Sequence, residues 1–187
     1  NVALNVAARA PDRVNALGLI EGGTSRGSGA KESWEEVRAR ARPRNISGTR
    51  EEFLDRLRTQ LSFCWSDQVE RIVQTMVYED AEGAMQDILR PENHIQVMHA
   101  MWEEPSSEAY PNIVCPTLII PAGPSAQQAG SERALVKQER VAAAEQAIMN
   151  SRIRWIPETV HDIGYHKPEE LAQVIREFLD ESFQSSV

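Results

Sequence analysis

A histidine in a short loop is the residue of this sequence best suited to proton transfer. His161 lies between a strand-like segment at residues 152–155 and a helix that begins near Pro168. An imidazole changes its charge close to neutral pH, so it can accept a proton and return it during a reaction. The loop therefore predicts a general base at His161.

The segments on either side of this loop have clear patterns. Arg152 and Arg154 alternate with Ile153 and Trp155, which is the two-residue period of a strand with one solvated face, near a sheet edge. Pro168 suits the first position of a helix, and the acidic residues after it suit its first turn. Apolar residues then recur at helical spacing, at Leu171, Val174, Ile175, Phe178 and Leu179. The pattern predicts a strand, the histidine loop and an amphipathic helix.

The composition is that of an ordinary globular domain. Of 187 residues, 41% are hydrophobic and 26% are charged, with a net charge of -8. The basic residues are scattered among acids, which argues against nucleic-acid binding, and no apolar run has transmembrane length. Neither a secretory signal nor a disulfide framework is evident, so Cys64 and Cys115 are predicted to be reduced and the protein cytoplasmic.

Strands and helices alternate at both ends of the chain. Strands are predicted at residues 14–21, 114–120 and 152–155, and helices at 1–10, 131–149 and from 168 onward. Between residues 31 and 110 the sequence predicts helices without a strand, at 34–40, 51–61, 68–78, 81–89 and 93–102. This order favours an α/β fold with about three parallel strands and an all-helical insertion.

Three segments together resemble the C-terminal part of the α/β-hydrolase fold family. They are the opening NVALNVAARAPDRVNALGLIE, the strand segment CPTLII at residues 115–120, and the His161 loop with its final helix. The resemblance implies that residues 1–30 and 111–187 form part of the hydrolase core. Residues 31–110 stand where the family inserts a variable helical cap.

The resemblance also implies a function for a longer protein. The family's nucleophile stands on a G-x-S-x-G turn directly before the helix that this chain enters at Asn1. We therefore expect the nucleophile to lie upstream and this chain alone to be inactive. The whole protein is expected to be a serine-type hydrolase of a small, largely apolar ester or lactone, with no cofactor, metal, nucleic-acid or membrane partner.

By the same resemblance, His161 is the base of the catalytic triad, and His166 is its competitor. The family usually places the acid after the strand that corresponds to residues 117–120, but the loop that follows here has no carboxylate before Glu132. Glu21 ends the preceding strand, where some haloalkane dehalogenases carry their acid. The acid is therefore Glu21, Glu132 or neither.

Other interpretations of the site residues and of the function remain open. Ser25 lies in a G-x-S-x-G match, but the loop continues through Gly29 where an elbow requires a helix. His94 and His99 are five residues apart and do not share a metal-binding helix face. The alternatives for the whole protein are a non-catalytic binding homologue, and a dehalogenase or epoxide hydrolase with an aspartate nucleophile. Tyr78 and Tyr110 are weak evidence for the epoxide hydrolase.

Overall fold

The computed structural model describes residues 1–24, 33–40, 46, 48–126, 128–159 and 161–184. Within these residues, no helix is both long and apolar enough to cross a membrane. The chain divides into two compact units. One consists of Asn1–Lys31 with Met101–Val187, and the other is Glu32–Ala100.

The first unit alternates strands and helices, as the sequence predicts for the two ends of the chain. Its strands and helices are α1 (Val2–Arg9), β1 (Leu17–Ile20), β4 (Thr117–Ile120), α6 (Glu132–Ala147), β5 (Ser151–Ile153), α7 (Ile163–His166) and α8 (Pro168–Gln184). Short 3₁₀ turns lie at Pro11–Arg13, Ser106–Glu108 and Tyr110–Asn112. Helix α8 begins at the proline that the sequence marks as its first residue, so this prediction is confirmed.

A parallel sheet of order β1-β4-β5 is the centre of this unit. All four residues of β4 are buried, because this strand has a neighbour on each side and helices on both faces. Leu19 pairs with Ile119, and Ile119 pairs in turn with Ile153. The described sheet confirms the predicted α/β class with three parallel strands.

Side chains of β4 alternate between two apolar layers. Ile119 packs in one layer with buried residues of α1, β1 and α6, among them Leu4, Leu19, Val141 and Ala144. Leu118 and Ile120 pack in the other layer with Ile163 of α7 and with Val174 and Phe178 of α8. The sheet is therefore fixed from both sides, which holds the carboxyl ends of its strands in register.

The second unit contains α2 (Trp34–Arg40), α3 (Arg50–Gln60), α4 (Asp67–Gln74), β2 (Val77–Glu79), β3 (Met85–Asp87) and most of α5 (Pro91–Glu103). Strands β2 and β3 form an antiparallel hairpin. The predicted helix at residues 81–89 is therefore wrong, and the predicted helix at 68–78 ends early, at Gln74. The insertion is mainly helical rather than all-helical.

The turn of this hairpin explains the difference. Gly83 has a φ of 80°, a conformation that favours glycine. The Asp80 carboxylate accepts hydrogen bonds from the backbone N–H groups of Glu82 and Ala84 and from the Gln86 side chain. These bonds lower the pKa of Asp80, because they favour its charged form. The segment thus satisfies its polar groups in a turn instead of a helix.

Candidate active site

The candidate site lies at the carboxyl ends of the three parallel strands. Glu21 directly follows β1, Ala122 follows β4, and His161 lies in the loop after β5. In open parallel sheets this edge is the usual place for ligands, because loops from several strands converge there. All three residues belong to the unit that contains the sheet.

The turn at Glu21 directs its carboxylate back across the strand ends. The residue has a φ of 48°, and its backbone N–H donates to the carbonyl oxygen of Ile120 at 3.0 Å. A non-glycine residue adopts this left-handed conformation at some cost, which the surrounding contacts must offset. Only 10% of the Glu21 side chain is exposed.

Both carboxylate oxygens of Glu21 have partners. Oε1 accepts from the backbone N–H of Ala122 and from Nζ of Lys137, each at 2.5 Å. Oε2 lies 3.0 Å from Nδ1 of His161. The carboxylate therefore joins the end of β1 to the end of β4, to α6 and to the histidine loop.

Backbone hydrogen bonds and one lysine side chain hold the histidine loop. The Gly123 N–H donates to the carbonyl oxygen of Ile156 at 2.7 Å, and the Thr159 N–H donates to that of Gly123 at 3.2 Å. Toward α8, the Lys167 ammonium donates to the carbonyl oxygen of Pro157 at 2.7 Å. The imidazole of His161 itself projects outward, with 74% of its side chain exposed.

This arrangement can support general base catalysis. An imidazole that donates Nδ1–H to a carboxylate has its basic lone pair on Nε2. The carboxylate stabilises the positive charge that the ring acquires when Nε2 takes a proton. His161 and Glu21 therefore have the contacts of the base and acid in a catalytic triad.

The other predicted site residues lie elsewhere. His166 ends α7, and its Nδ1 lies 3.1 Å from the Thr159 hydroxyl. Glu132 is the exposed first residue of α6, and the carboxylate that contacts His161 is that of Glu21. Ser25 lies outside the described residues.

Tyrosine, histidine and cysteine residues named from the sequence have other surroundings. Tyr78 lies in β2, His94 and His99 lie in α5, and the ring of His99 packs edge-on against Trp34. Cys115 is buried and forms no disulfide. Within the described residues, no group of three or more His, Cys, Asp or Glu side chains could hold a metal ion.

Lys137 is the site residue that the sequence analysis missed. Its ammonium binds Glu21 and also donates to the carbonyl oxygen of Ala122 at 2.7 Å. A signal was present in the sequence: Lys137 is three residues after Ala134 and four before Val141, both buried in α6. A cation on the apolar face of a helix indicates a nearby anion.

Two concave features adjoin these residues. A small cavity of 80 Å³ is lined by Leu19, Gly22, Thr24 and the side chains of the Glu21–Lys137 pair, among others. An open groove of 450 Å³ between α6 and the loops after β4 and β5 is lined largely by apolar residues, including Val141, Ile153 and Trp155.

Several solved structures have the same arrangement of strands and helices. An E-2-(acetamidomethylene)succinate hydrolase superposes with a TM-score of 0.68 at 18% identity, over 95% of this chain and 62% of that protein. A peroxisomal α/β-hydrolase from Saccharomyces cerevisiae gives 0.71 at 12% identity, over 99% and 52%. The enol-lactonase from Burkholderia xenovorans gives 0.57 at 18% identity, over 95% and 61%.

These proteins are longer than the chain, which spans 52–62% of their lengths. No protein-family model matches the sequence, and no curated protein matches it either. At such low identity the likeness establishes the fold. The described part of this chain therefore has the α/β-hydrolase fold, in the portion that ends with the histidine loop and the last helix.

Proposed function

We propose that this chain is the C-terminal part of a hydrolase that cleaves a small, largely apolar ester or lactone, with His161 as the general base. The observation that carries the proposal is the 3.0 Å contact between Nδ1 of His161 and Oε2 of Glu21 at the carboxyl edge of the parallel sheet. Hydrolases and an enol-lactonase are among the proteins of this fold, which supports the reaction class.

In the proposed mechanism, Nε2 of His161 takes the proton of a nucleophilic hydroxyl supplied by a segment upstream of Asn1. The ring returns this proton to the leaving alcohol and then activates a water molecule that hydrolyses the acyl intermediate. Oε2 of Glu21 accepts the hydrogen bond of Nδ1–H and orients the ring. The unit Glu32–Ala100 corresponds to the segment predicted as the cap, at residues 31–110.

A pair of matched substitutions tests the base in the full-length protein. His161→Asn should lower kcat for a generic aryl ester by at least about 100-fold, because the general base is lost. His166→Asn keeps a polar atom near the Thr159 hydroxyl and should retain most of the activity. The measurement is a steady-state assay of ester hydrolysis with both variants.

Other results would contradict the proposal in different ways. Near wild-type turnover by His161→Asn would show that His161 is not the general base. A full-length protein that binds apolar esters without turnover would indicate a binding homologue. An aspartate at the upstream elbow, together with release of halide or opening of an epoxide, would place the protein in another branch of the fold.

A further inference from the structure

We propose that Lys137 is a positioning residue of this site. Its ammonium holds the Glu21 carboxylate in one orientation and offsets part of its negative charge, so that His161 faces an oriented and partly neutralised carboxylate. This inference rests on the proposed function for its catalytic meaning.

The contacts of Lys137 assign it to one oxygen of the acid. Its Nζ lies 2.5 Å from Oε1 of Glu21 and 2.7 Å from the carbonyl oxygen of Ala122. The Ala122 N–H donates to the same Oε1. Oε1 is thus occupied from two directions, and Oε2 is the oxygen that contacts His161.

The surroundings of the ammonium strengthen its effect on Glu21. The lysine side chain is 32% exposed and the glutamate side chain 10% exposed, so solvent screens the pair less than it screens a surface ion pair. The Trp155 ring lies 5.9 Å from Nζ, at the outer limit for a cation–π contact. The lysine is therefore held at the acid by groups from three segments of the chain.

Lys137 and His161 contact the two oxygens of one carboxylate. Nζ lies 2.5 Å from Oε1, and Nδ1 of His161 lies 3.0 Å from Oε2. The ammonium is therefore separated from the ring nitrogen by at most roughly 7 Å, and a positive charge on the ring would be repelled by it. Asp162 is adjacent in the chain. The other titratable groups between β5 and the end of α7 are Arg154, Glu158, Tyr165 and His166, and Lys167 directly follows α7.

Removing the positive charge of Lys137 should therefore change the pH at which the His161 ring takes up a proton. Two unit charges about 7 Å apart interact by an amount equivalent to roughly 0.4 pH unit in water, and about four times that near a protein surface. Because His161 is largely exposed, the lower part of this range applies. A lysine that only stabilised the fold would leave the titration unchanged.

The test uses NMR of the histidine ring protons in the 187-residue chain as a function of pH, with His161→Asn to assign the His161 signals. In Lys137→Met, the midpoint of the His161 transition should rise by about 0.4 to 1 pH unit. Lys137→Arg keeps the charge and should restore a midpoint near that of the wild type. Arg140→Met removes an exposed cation from the same helix and is the matched control.

An unchanged midpoint in folded Lys137→Met would overturn the inference. Should that variant fail to fold, Lys137→Gln provides the same comparison, and Glu21→Gln should move the midpoint in the opposite direction, to lower pH. In the full-length enzyme, Lys137→Met should move the acid limb of the pH–rate profile upward. A shifted ring titration in a protein without hydrolase activity would support the role of Lys137 and contradict the proposed function.

Discussion

Replacing Tyr110 by phenylalanine removes one buried hydroxyl next to the turn that carries Glu21. Tyr110 begins a 3₁₀ turn, and only 5% of the residue is exposed. Its hydroxyl donates to the carbonyl oxygen of Gly23 at 2.7 Å. Gly23 is two residues after Glu21, so the bond ties the acid's turn to the segment that leads into β4.

The free energy of unfolding should fall at neutral pH. In Tyr110→Phe the Gly23 carbonyl loses its buried donor, and an unsatisfied buried group costs about 1–3 kcal/mol. For a chain of this size, a loss of about 2 kcal/mol lowers Tm by roughly 4–8 °C. The aromatic ring remains, so the apolar packing around residue 110 is retained.

The difference in the free energy of unfolding between the wild type and Tyr110→Phe should then shrink at alkaline pH. Burial raises the pKa of Tyr110 from 10.0 to about 12. The neutral phenol therefore contributes its full stability below pH 10, and this contribution is lost as the pH rises toward 12. A rise of this size in the pKa corresponds to stability on the order of 3 kcal/mol, which the phenylalanine variant cannot lose.

Urea unfolding followed by circular dichroism, at a series of pH values from neutral to the alkaline limit of the folded protein, measures both effects. Subtracting the curve of Tyr110→Phe removes the contribution of the lysines and other groups that titrate in both proteins. Tyr78→Phe is the control, because Tyr78 is 47% exposed. Stability curves of wild type and Tyr110→Phe that stay parallel above pH 10 would refute the reasoning.

Two further predictions concern the packing at Gly23 and the exposed apolar face of α1. Gly23→Ala should destabilise the chain by about 2 kcal/mol or more in urea unfolding, because Gly23 has a φ of 73° and an added Cβ would lie 2.9 Å from a methyl carbon of Leu19. A loss below about 0.5 kcal/mol would contradict this expectation. Val2 and Val6 are exposed on one face of α1, and we expect the chain to self-associate through this apolar pair. Changing both residues to lysine should reduce the association measured by sedimentation velocity over a dilution series, whereas Met149→Lys, at an exposed position outside α1, should not. A wild-type chain that remains monomeric across the dilution series would refute the second prediction.

Most of the first unit could be predicted because its local signals agree with its tertiary environment. The nearly continuous apolar run at residues 114–120 is typical of a buried parallel strand, and β4 is buried at every position. The family resemblance left the acid open between Glu21, Glu132 and neither. The structure has Oε2 of Glu21 3.0 Å from Nδ1 of His161, as expected where residues that follow parallel strands meet at one sheet edge. The role of Glu21 as the acid stays a prediction.

Other features depend on geometry that a sequence pattern does not contain. The hairpin at residues 77–87 depends on a turn closed by Asp80, and its short strands lack the length that reveals a two-residue period. The contact of Lys137 with Glu21 depends on the rotation of α6 about its axis. That rotation is determined by the packing of Val141 and Ala144 against the sheet.

The hydrogen bonds of Glu21 make the stability of the fold independent of the catalytic role proposed for His161. Ala122 and Lys137 satisfy Oε1 whether or not an imidazole is present at Oε2, and most of the His161 ring is in solvent. Under the proposed function, a substitution at position 161 therefore removes the general base and leaves the hydrogen bonds of Glu21 to Ala122 and Lys137 intact. Such a substitution is expected to cost turnover and little stability.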